Sequence, residues 1–280
     1  MAIELRKVSF SYPAGEEGGE RRQLLRDLNL VIEPGEYVAL LGCNGSGKST
    51  TAKLMNGLLV PSEGEVVVDG LVTSDPQEVY GVRQRVGMVF QDPSRQLVAS
   101  TIEDELAFGL ENLGLPPEEI EKRLEWALKA LGIEELRYKE PHYLSGGQTQ
   151  RVAIASVLVM QPRYLIMDEP TAMLDPQGRR EVLEAIDFLR SQLGMAVIYI
   201  THHMEEVWRA ERVLALAQGQ LVLDATPRQL FQDGERLLAL GLDLPPLIRL
   251  QYELQKWGWR GELESDWRQL GMELKKYLKS

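Results

Sequence analysis

Apolar residues in this chain follow two periods. Over residues 3–10 and again over 24–32 they recur at about every second position, as in half-buried strands. The stretch between, residues 13–20, is rich in Gly and Glu and reads as a solvated hairpin loop. Pro34-Gly35 turns the chain, and residues 37–41 then form a short, wholly apolar run ending at a glycine. That is the pattern of a strand buried on both faces of a parallel sheet. Residues 48–57 read as a helix, and residues 65–69 and 86–90 as further strands. From Thr101 to Leu131 the period lengthens to that of a helix. Thr101 caps one helix, which carries Leu106, Phe108 and Leu110. Pro116-Pro117 opens another, with Ile120, Leu124, Ala127, Leu128 and Leu131 on one face. A strand at 164–167, a helix at 176–193 and a strand at 197–201 follow, then a hairpin of 213–217 and 221–223 around Gln218-Gly219. The pattern predicts an α/β domain over residues 1–225, interrupted by a mostly helical subdomain over about 92–160.

From Thr226 the character changes. Pro245-Pro246 opens a helix with Leu247, Leu250, Leu254 and Trp257 on one stripe. Past Gly258 and Gly261, a second stripe holds Trp267, Leu270, Leu274, Tyr277 and Leu278. Residues 226–280 are therefore expected to form a small helical C-terminal domain. Its apolar stripes must pack against something, either the chain's own α/β domain or a second subunit.

Composition narrows the function classes. A formal net charge of −11 disfavours a nucleic-acid surface, which needs a basic stripe, and also broad adsorption on anionic lipid. The longest unbroken apolar candidate, residues 152–160, is interrupted by Ser156 and is far too short to cross a bilayer. The first ten residues lack the apolar core of a signal peptide. The single cysteine, Cys43, permits no internal disulfide and suits a reducing cytoplasm. Any membrane role is expected to run through a protein partner.

Gly42, Cys43, Asn44, Gly45, Ser46, Gly47, Lys48 and Ser49 fit G-x-x-x-x-G-K-[ST] between a predicted strand and a predicted helix. In such a loop, glycines let backbone N–H groups turn towards phosphate oxygens and the helix N-terminus adds its positive end. Lys48 brings a full charge to the β- and γ-phosphates, Ser49 offers its hydroxyl to Mg²⁺, and Thr50 follows within the same phosphate-binding segment. Cys43 reads as a variable loop position. Further on, Tyr164 to Met167 make an apolar strand from which Asp168 and Glu169 emerge. That strand end is where α/β sheets place ligands. Asp168 is the candidate for Mg²⁺ and Glu169 the candidate to polarise an attacking water.

Together with the motifs that follow, these elements make residues 3–225 resemble the nucleotide-binding subunit of ATP-binding-cassette (ABC) proteins. Leu144-Ser145-Gly146-Gly147-Gln148 matches the family signature, Gln91 its Q-loop, Met173-Leu174-Asp175 its D-loop and Thr201-His202 its switch histidine. Tyr12 sits where the family stacks an aromatic ring on adenine. The resemblance implies a P-loop NTPase cassette with an α/β core, an antiparallel β subdomain and a helical insertion. It implies ATP and Mg²⁺ as ligands, with Gln91 joining Ser49 and Asp168 near the metal. It also implies head-to-tail pairing, in which Lys48 of one subunit and Ser145 to Gln148 and Asp175 of another enclose the same ATP. Glu169, His202, Gln91 and Lys48 are the implied catalytic residues. His142 is expected to be structural, and Thr149, where the family commonly has a basic residue, to lack only a surface charge.

A narrower resemblance spans nearly the whole chain. Val89-Phe90-Gln91-Asp92-Pro93, Gln96-Leu97-Val98, the run from Glu103 to Gly109, Val68-Asp69-Gly70 and the tail are similar to the energy-coupling factor (ECF) branch of importers. That branch implies a second ABC ATPase, identical or related, a transmembrane coupling subunit and a substrate-binding membrane protein. It places the ATPase on the cytoplasmic face of the cell membrane, driving uptake of a vitamin or a transition-metal ion, with no nucleic acid involved. Glu103, Asp104 and Glu105 either meet basic coupling helices or form a solvated first helical turn. The alternatives are an ATPase of a conventional ABC importer or exporter, a soluble non-transport ABC ATPase, and a non-hydrolysing regulatory subunit.

Overall fold

The computed structural model describes residues 1–13 and 23–277, and of Leu189 only the backbone. Beyond Pro13 the loop expected at 13–20 lies outside the described residues, as does Leu278 of the second tail stripe.

The chain opens with β1 (Ile3–Ser11) and β2 (Gln23–Ile32), then β3 (Tyr37–Leu41), α1 (Lys48–Met55), β4 (Glu63–Val68) and the two-residue β5 (Leu71–Val72). Next come α2 (Val79–Arg85) and β6 (Val86–Val89). The helical subdomain holds α3 (Ile102–Asn112), α4 (Pro117–Ala130) and α5 (Gly146–Leu158). The α/β alternation resumes with β7 (Tyr164–Asp168), α6 (Pro176–Leu193), β8 (Ala196–Ile200), β9 (Arg212–Ala217) and β10 (Gln220–Ala225). The tail is α7 (Pro227–Gln232), α8 (Gly234–Ala239), α9 (Pro246–Lys256) and α10 (Trp267–Tyr277).

Among the described residues the strands form two sheets. The smaller is antiparallel, ordered β2-β1-β4-β5, and the larger is ordered β10-β9-β3-β8-β7-β6. In the larger sheet β6, β7, β8, β3 and β9 run parallel and only β10 is antiparallel. β3, β7 and β8 are buried at every position, which is why their sequences are continuous apolar runs rather than alternating ones. Period 2 still sorts their side chains. Val38, Leu40, Ile166 and Ile198 face the core shared with the antiparallel sheet and α1. Ala39, Leu41, Leu165, Met167, Val197 and Tyr199 face the core built with the helical subdomain.

The expected elements form, with shifts at their ends. The helix after the phosphate loop stops at Met55 rather than Gly57, and β4 begins at Glu63 and ends before Asp69, a left-handed turn residue with φ 50°. The tail divides its apolar residues. Leu230, Phe231, Leu237 and Ile248 join the main core, with Phe231 stacked on Trp208 at 4.7 Å. Leu247, Trp259 and Leu270 make a small cluster of their own. The two expected stripes are corrected in detail. Leu250 (40% exposed), Trp257 (82%) and Trp267 (59%) point outward, and the ring that fills the cluster is Trp259, at 4%. Gln251, fully buried, ties α9 to the following loop by accepting from Glu264 N at 2.7 Å and donating to Glu264 O at 2.9 Å.

Candidate nucleotide site

The end of β3 delivers the chain into the glycine-rich loop. Gly42 has φ 147°, and a Cβ there would collide with the Leu216 carbonyl and Ser46 Oγ. Gly47 has φ 105°, and a Cβ would collide with Leu25 Cδ2. At both positions only glycine fits. Gly47 is also the N-cap of α1 and offers no side-chain acceptor, so the helix's first N–H groups face the loop uncapped. Lys48 is 5% exposed, and its Nζ donates to Gly42 O at 2.8 Å and Cys43 O at 3.2 Å. Burial pulls its pKa below the ordinary lysine value, against the opposing pull of Glu169 and Asp168. Asn44 and Gly45 are exposed at the tip, whereas Ser46 Oγ is buried without a hydrogen-bond partner. Thr50 turns the other way, its Oγ1 lying 3.1 Å from the Tyr12 hydroxyl. The Tyr12 ring stands edge-on to Phe10 at 4.9 Å and remains 42% exposed.

The second half of the site lies where β7 and β8 end. Asp168 is 5% exposed, and its Oδ1 has no hydrogen-bond partner. Burial raises its pKa above the usual carboxylate range, opposed by a hydrogen bond from Ser49 and reinforced by neighbouring Glu169. Glu169 adopts φ 52°, unusual for a non-glycine residue, and its backbone N–H donates to Ile200 O at 2.9 Å. Its side chain is gripped from two sides. Gln91 Nε2 donates to Oε2 at 2.9 Å, and His202 Nε2 lies 2.7 Å from Oε1. Three residues widely separated in the chain thus converge on one carboxylate.

The signature residues lie elsewhere. Ser145 is the N-cap of α5 and forms a reciprocal capping box with Gln148. A Cβ on Gly146 would meet open space, and one on Gly147 would lie 3.6 Å from Leu174 Cδ2. Asp175 caps α6 by accepting from Gly178 N at 2.8 Å. Ser145, Gly146, Gly147, Gln148 and Asp175 line one open cavity of about 390 Å³. Asn44, Gly45 and Ser46 line another, of about 850 Å³, and the two have no lining residue in common.

Several expectations need correction. Thr149 is not a surface position: it is buried, and its hydroxyl donates to Ser145 O at 3.0 Å, bracing the signature turn. His142 is exposed beside Glu140 rather than built into the structure. The acidic residues in the first turn of α3 are each engaged by the chain itself. Glu103 pairs with Arg137, the exposed Asp104 accepts from the hydroxyl of the N-cap Thr101 at 2.7 Å, and buried Glu105 accepts from Val98 N and Ala99 N, both at 2.8 Å. Gln96, named in the sequence only for the narrower resemblance, also has a bridging role: its Oε1 accepts from Phe90 N at 3.2 Å while its Nε2 donates to Ala153 O at 3.2 Å. It thereby joins the strand end before Gln91 to α5. No periodicity signals such a bridge.

A phosphate loop at the end of β3, a carboxylate pair at the end of β7 and a capped Ser-Gly-Gly helix on a helical insertion define an ATP-binding-cassette ATPase. The ABC transporter family profile matches residues 25–172. The energy-coupling factor transporter ATP-binding protein EcfA1 of Caldanaerobacter subterraneus subsp. tengcongensis is 49% identical over 256 residues, covering 91% of this chain and 92% of its own. The protein of the same name from Symbiobacterium thermophilum is 48% identical over 253 residues, 90% of this chain and 88% of its own. Among solved structures, cbiO1 from Clostridium perfringens, part of the ABC transporter complex cbiONQ, superposes with a TM-score of 0.74 at 36% identity, covering 89% of this chain and 98% of its own. The cassette MJ0796, solved as a dimer with ADP and Pi, superposes with a TM-score of 0.73 at 31% identity, covering 81% and 99%. The chain belongs to the ABC transporter ATPase family and, within it, to the ATP-binding subunits of energy-coupling factor importers. It is an ATPase, and among the described residues no helix is long and apolar enough to cross a membrane.

Proposed function

We propose that this chain hydrolyses ATP only in a sandwich with a second ABC cassette, identical or related, and that opening and closing of the sandwich drives a membrane partner. The observation that carries this reading is that the signature turn and Asp175 line a cavity to which no phosphate-loop residue contributes. A signature turn with an open Gly146 at a helix N-terminus is suited to phosphate, yet it lines no cavity with its own phosphate loop. A second chain brings it there. The dimeric form of MJ0796, with its hydrolysis products, agrees.

In this reading Tyr12 stacks on the adenine, and the N–H groups of residues 42–50 with Lys48 hold the phosphates. To do so Lys48 exchanges its Gly42 and Cys43 carbonyl partners for phosphate oxygens, so its charge is positioned before the substrate arrives. Glu169 takes the proton of the attacking water. His202 and Gln91 orient Glu169, and His202 faces the γ-phosphate. Ser145 to Gln148 and Asp175 of the second cassette close over the same nucleotide.

The donor set fits Mg²⁺. An orphaned, buried Asp168 oxygen beside the Ser49 hydroxyl is a sparse oxygen site, suited to an ion that takes its other ligands from phosphates and water. Asp168 and Ser49 would hold the ion, with Gln91 at its edge, and when bound it neutralises charge on the phosphates. With its Nε2 given to Glu169, Gln91 has its amide oxygen left to face the metal.

We assign the remaining parts by the same reading. Residues 1–225 form the cassette, with its helical subdomain at about 92–160. Residues 226–280 form a C-terminal domain whose outward Trp257 and Trp267 contribute to subunit pairing. A transmembrane coupling subunit and a substrate-binding membrane protein complete the importer, the ATPase sits on the cytoplasmic face, and the cargo is a vitamin or a transition-metal ion. The test is affinity purification from detergent-solubilised membranes. The expected companions are a polytopic membrane protein and a cassette subunit, retained through size exclusion. Recovery with ribosomes or nucleic acid instead would overturn the importer reading.

A further inference from the structure

Behind Glu169 and His202 lies a third acidic residue. Glu206 opens a 3₁₀ turn, Glu206–Arg209, and is 5% exposed. A carboxylate is rarely buried so deeply unless its oxygens are engaged, and here both are. Oε1 accepts from Thr171 Oγ1 at 2.7 Å, and Oε2 accepts from Thr201 Oγ1 at 2.5 Å. Thr171 stands two residues after Glu169, and Thr201 stands immediately before His202. Thr201 Oγ1 also accepts the backbone N–H of His203 at 2.9 Å, which fixes the turn that presents His202.

This location matters mechanically. The ladder between β7 and β8 pairs Asp168 with Ile200, and the bond from Glu169 N to Ile200 O extends it by one residue. Beyond that bond the two chains separate, and they do so where Glu169 and His202 must stay 2.7 Å apart. Glu206 ties the two segments together again just past the split. A third segment reaches the same carboxylate. Arg179 of α6 places its Nε 3.7 Å from Oε1, an ion pair too long for a hydrogen bond, and that Nε is buried with no other partner. Arg179 N in turn donates to Asp175 O at 2.9 Å, so this arm leads to the residue that caps α6 beside the signature cavity.

We propose that Glu206 is a positioning residue for hydrolysis: its carboxylate fixes the placement of Glu169 relative to His202 and links the pair, through Arg179, to the Asp175 end of α6. The proposal rests on the reading of Glu169 and His202 as the hydrolytic pair. Ångström-scale misplacement of catalytic groups costs about 10²-fold in rate. Glu206→Ala should therefore lower kcat by about 10- to 100-fold, with the KM for ATP within about two-fold of the parent because the phosphate loop and Tyr12 are untouched. Glu206→Gln, which retains one acceptor in the same shape, should recover most of that loss. Thr201→Val removes one hydroxyl while preserving volume and should lower kcat several-fold in a protein that folds normally. In a His202→Ala background, adding Glu206→Ala should cost less than in the parent, because part of what it positions is already gone.

The experiment measures steady-state phosphate release, KM and melting temperature for these variants beside Glu169→Gln. A kcat fall at constant KM, recovered by Glu206→Gln and less than multiplicative with His202→Ala, supports the proposal. If Glu169→Gln is inactive while Glu206→Ala and Thr201→Val lose only melting temperature, Glu206 merely stabilises its turn, and the proposal falls while the site reading stands. If Glu169→Gln also retains full turnover, both fall. Fully multiplicative losses would likewise overturn it.

Discussion

Replacing Glu169 by glutamine isolates the chemistry of the site from its architecture. The side chain keeps its length, and the backbone at φ 52°, held by the bond to Ile200 O, has no reason to change. What changes is the carboxylate. It now accepts at 2.9 Å from Gln91 and meets His202 at 2.7 Å. An amide can reproduce one of these contacts as an acceptor but presents N–H at the other, and it cannot take a proton from water at neutral pH. Loss of one hydrogen bond to a charged group costs about 1.5–3 kcal/mol, partly offset by water at this semi-exposed position. Loss of a general base costs about 10²- to 10⁴-fold, equivalent to about 3–5 kcal/mol in the barrier. Turnover should therefore fall by about 10³-fold, and the chemical term dominates. ATP binding survives, because Lys48, Ser49 and Tyr12 are unaltered. The assay pairs phosphate release at saturating ATP with sedimentation velocity. Expected is near-zero release and an ATP-dependent dimer that persists for hours. Release within about three-fold of the parent would refute Glu169 as the base, for no general-base role is worth so little.

Other outcomes follow from the same geometry. Burial raises Asp168 above its unfolded value, so its ionised form opposes folding; that opposition is absent below the unfolded value near pH 4 and grows as pH rises through the raised folded value. Asp168→Asn should therefore raise the melting temperature at pH 7.5 by a few degrees while abolishing hydrolysis, and the gain should vanish near pH 4; a lower melting temperature at pH 7.5 would contradict this. Trp259→Ala, deleting a ring that is 4% exposed, should destabilise the tail by about 3–5 kcal/mol, read as its early cleavage by trypsin. Trp257→Ala with Trp267→Ala, both exposed, should leave the melting temperature within about 2 °C and weaken subunit pairing at least about ten-fold by sedimentation; unchanged pairing would remove the tail from the interface.

The parts legible in the sequence were those set by local pattern. β3, β7 and β8 announced themselves because a strand buried on both faces can carry little but apolar residues. The phosphate loop did so because Gly42 and Gly47 occupy conformations and spaces closed to a Cβ. The capping box at Ser145 is likewise local, and Thr226 with Gln229 at the head of α7 carries the same readable signal, although that helix was not anticipated. What remained hidden depends on contacts between distant residues. Glu206 meets Thr171 across 35 positions, and Gln96 meets Ala153 across 57. A helical stripe tells which residues share a face but not whether that face is covered, so Trp257 was indistinguishable from a core residue while Trp259, in the loop after α9, carried no period at all. The acidic start of α3 read equally as a docking surface or a solvated first turn, because the partners of Glu103 and Glu105, namely Arg137 and the amides of Val98 and Ala99, lie outside the helix.

The central claim is that each nucleotide is held by Lys48 of one cassette and Ser145 of another. Lys48→Ala and Ser145→Arg should each be inactive alone, since every composite site in either homodimer lacks one half. Mixed one to one, half the dimers by random pairing are hybrids, and each hybrid contains one intact site and one doubly broken one. Phosphate release from the mixture should recover to about a quarter of the parental rate, the share of intact sites that this pairing produces. A mixture that stays as inactive as its components, although sedimentation shows hybrid dimers, would contradict a site shared between subunits.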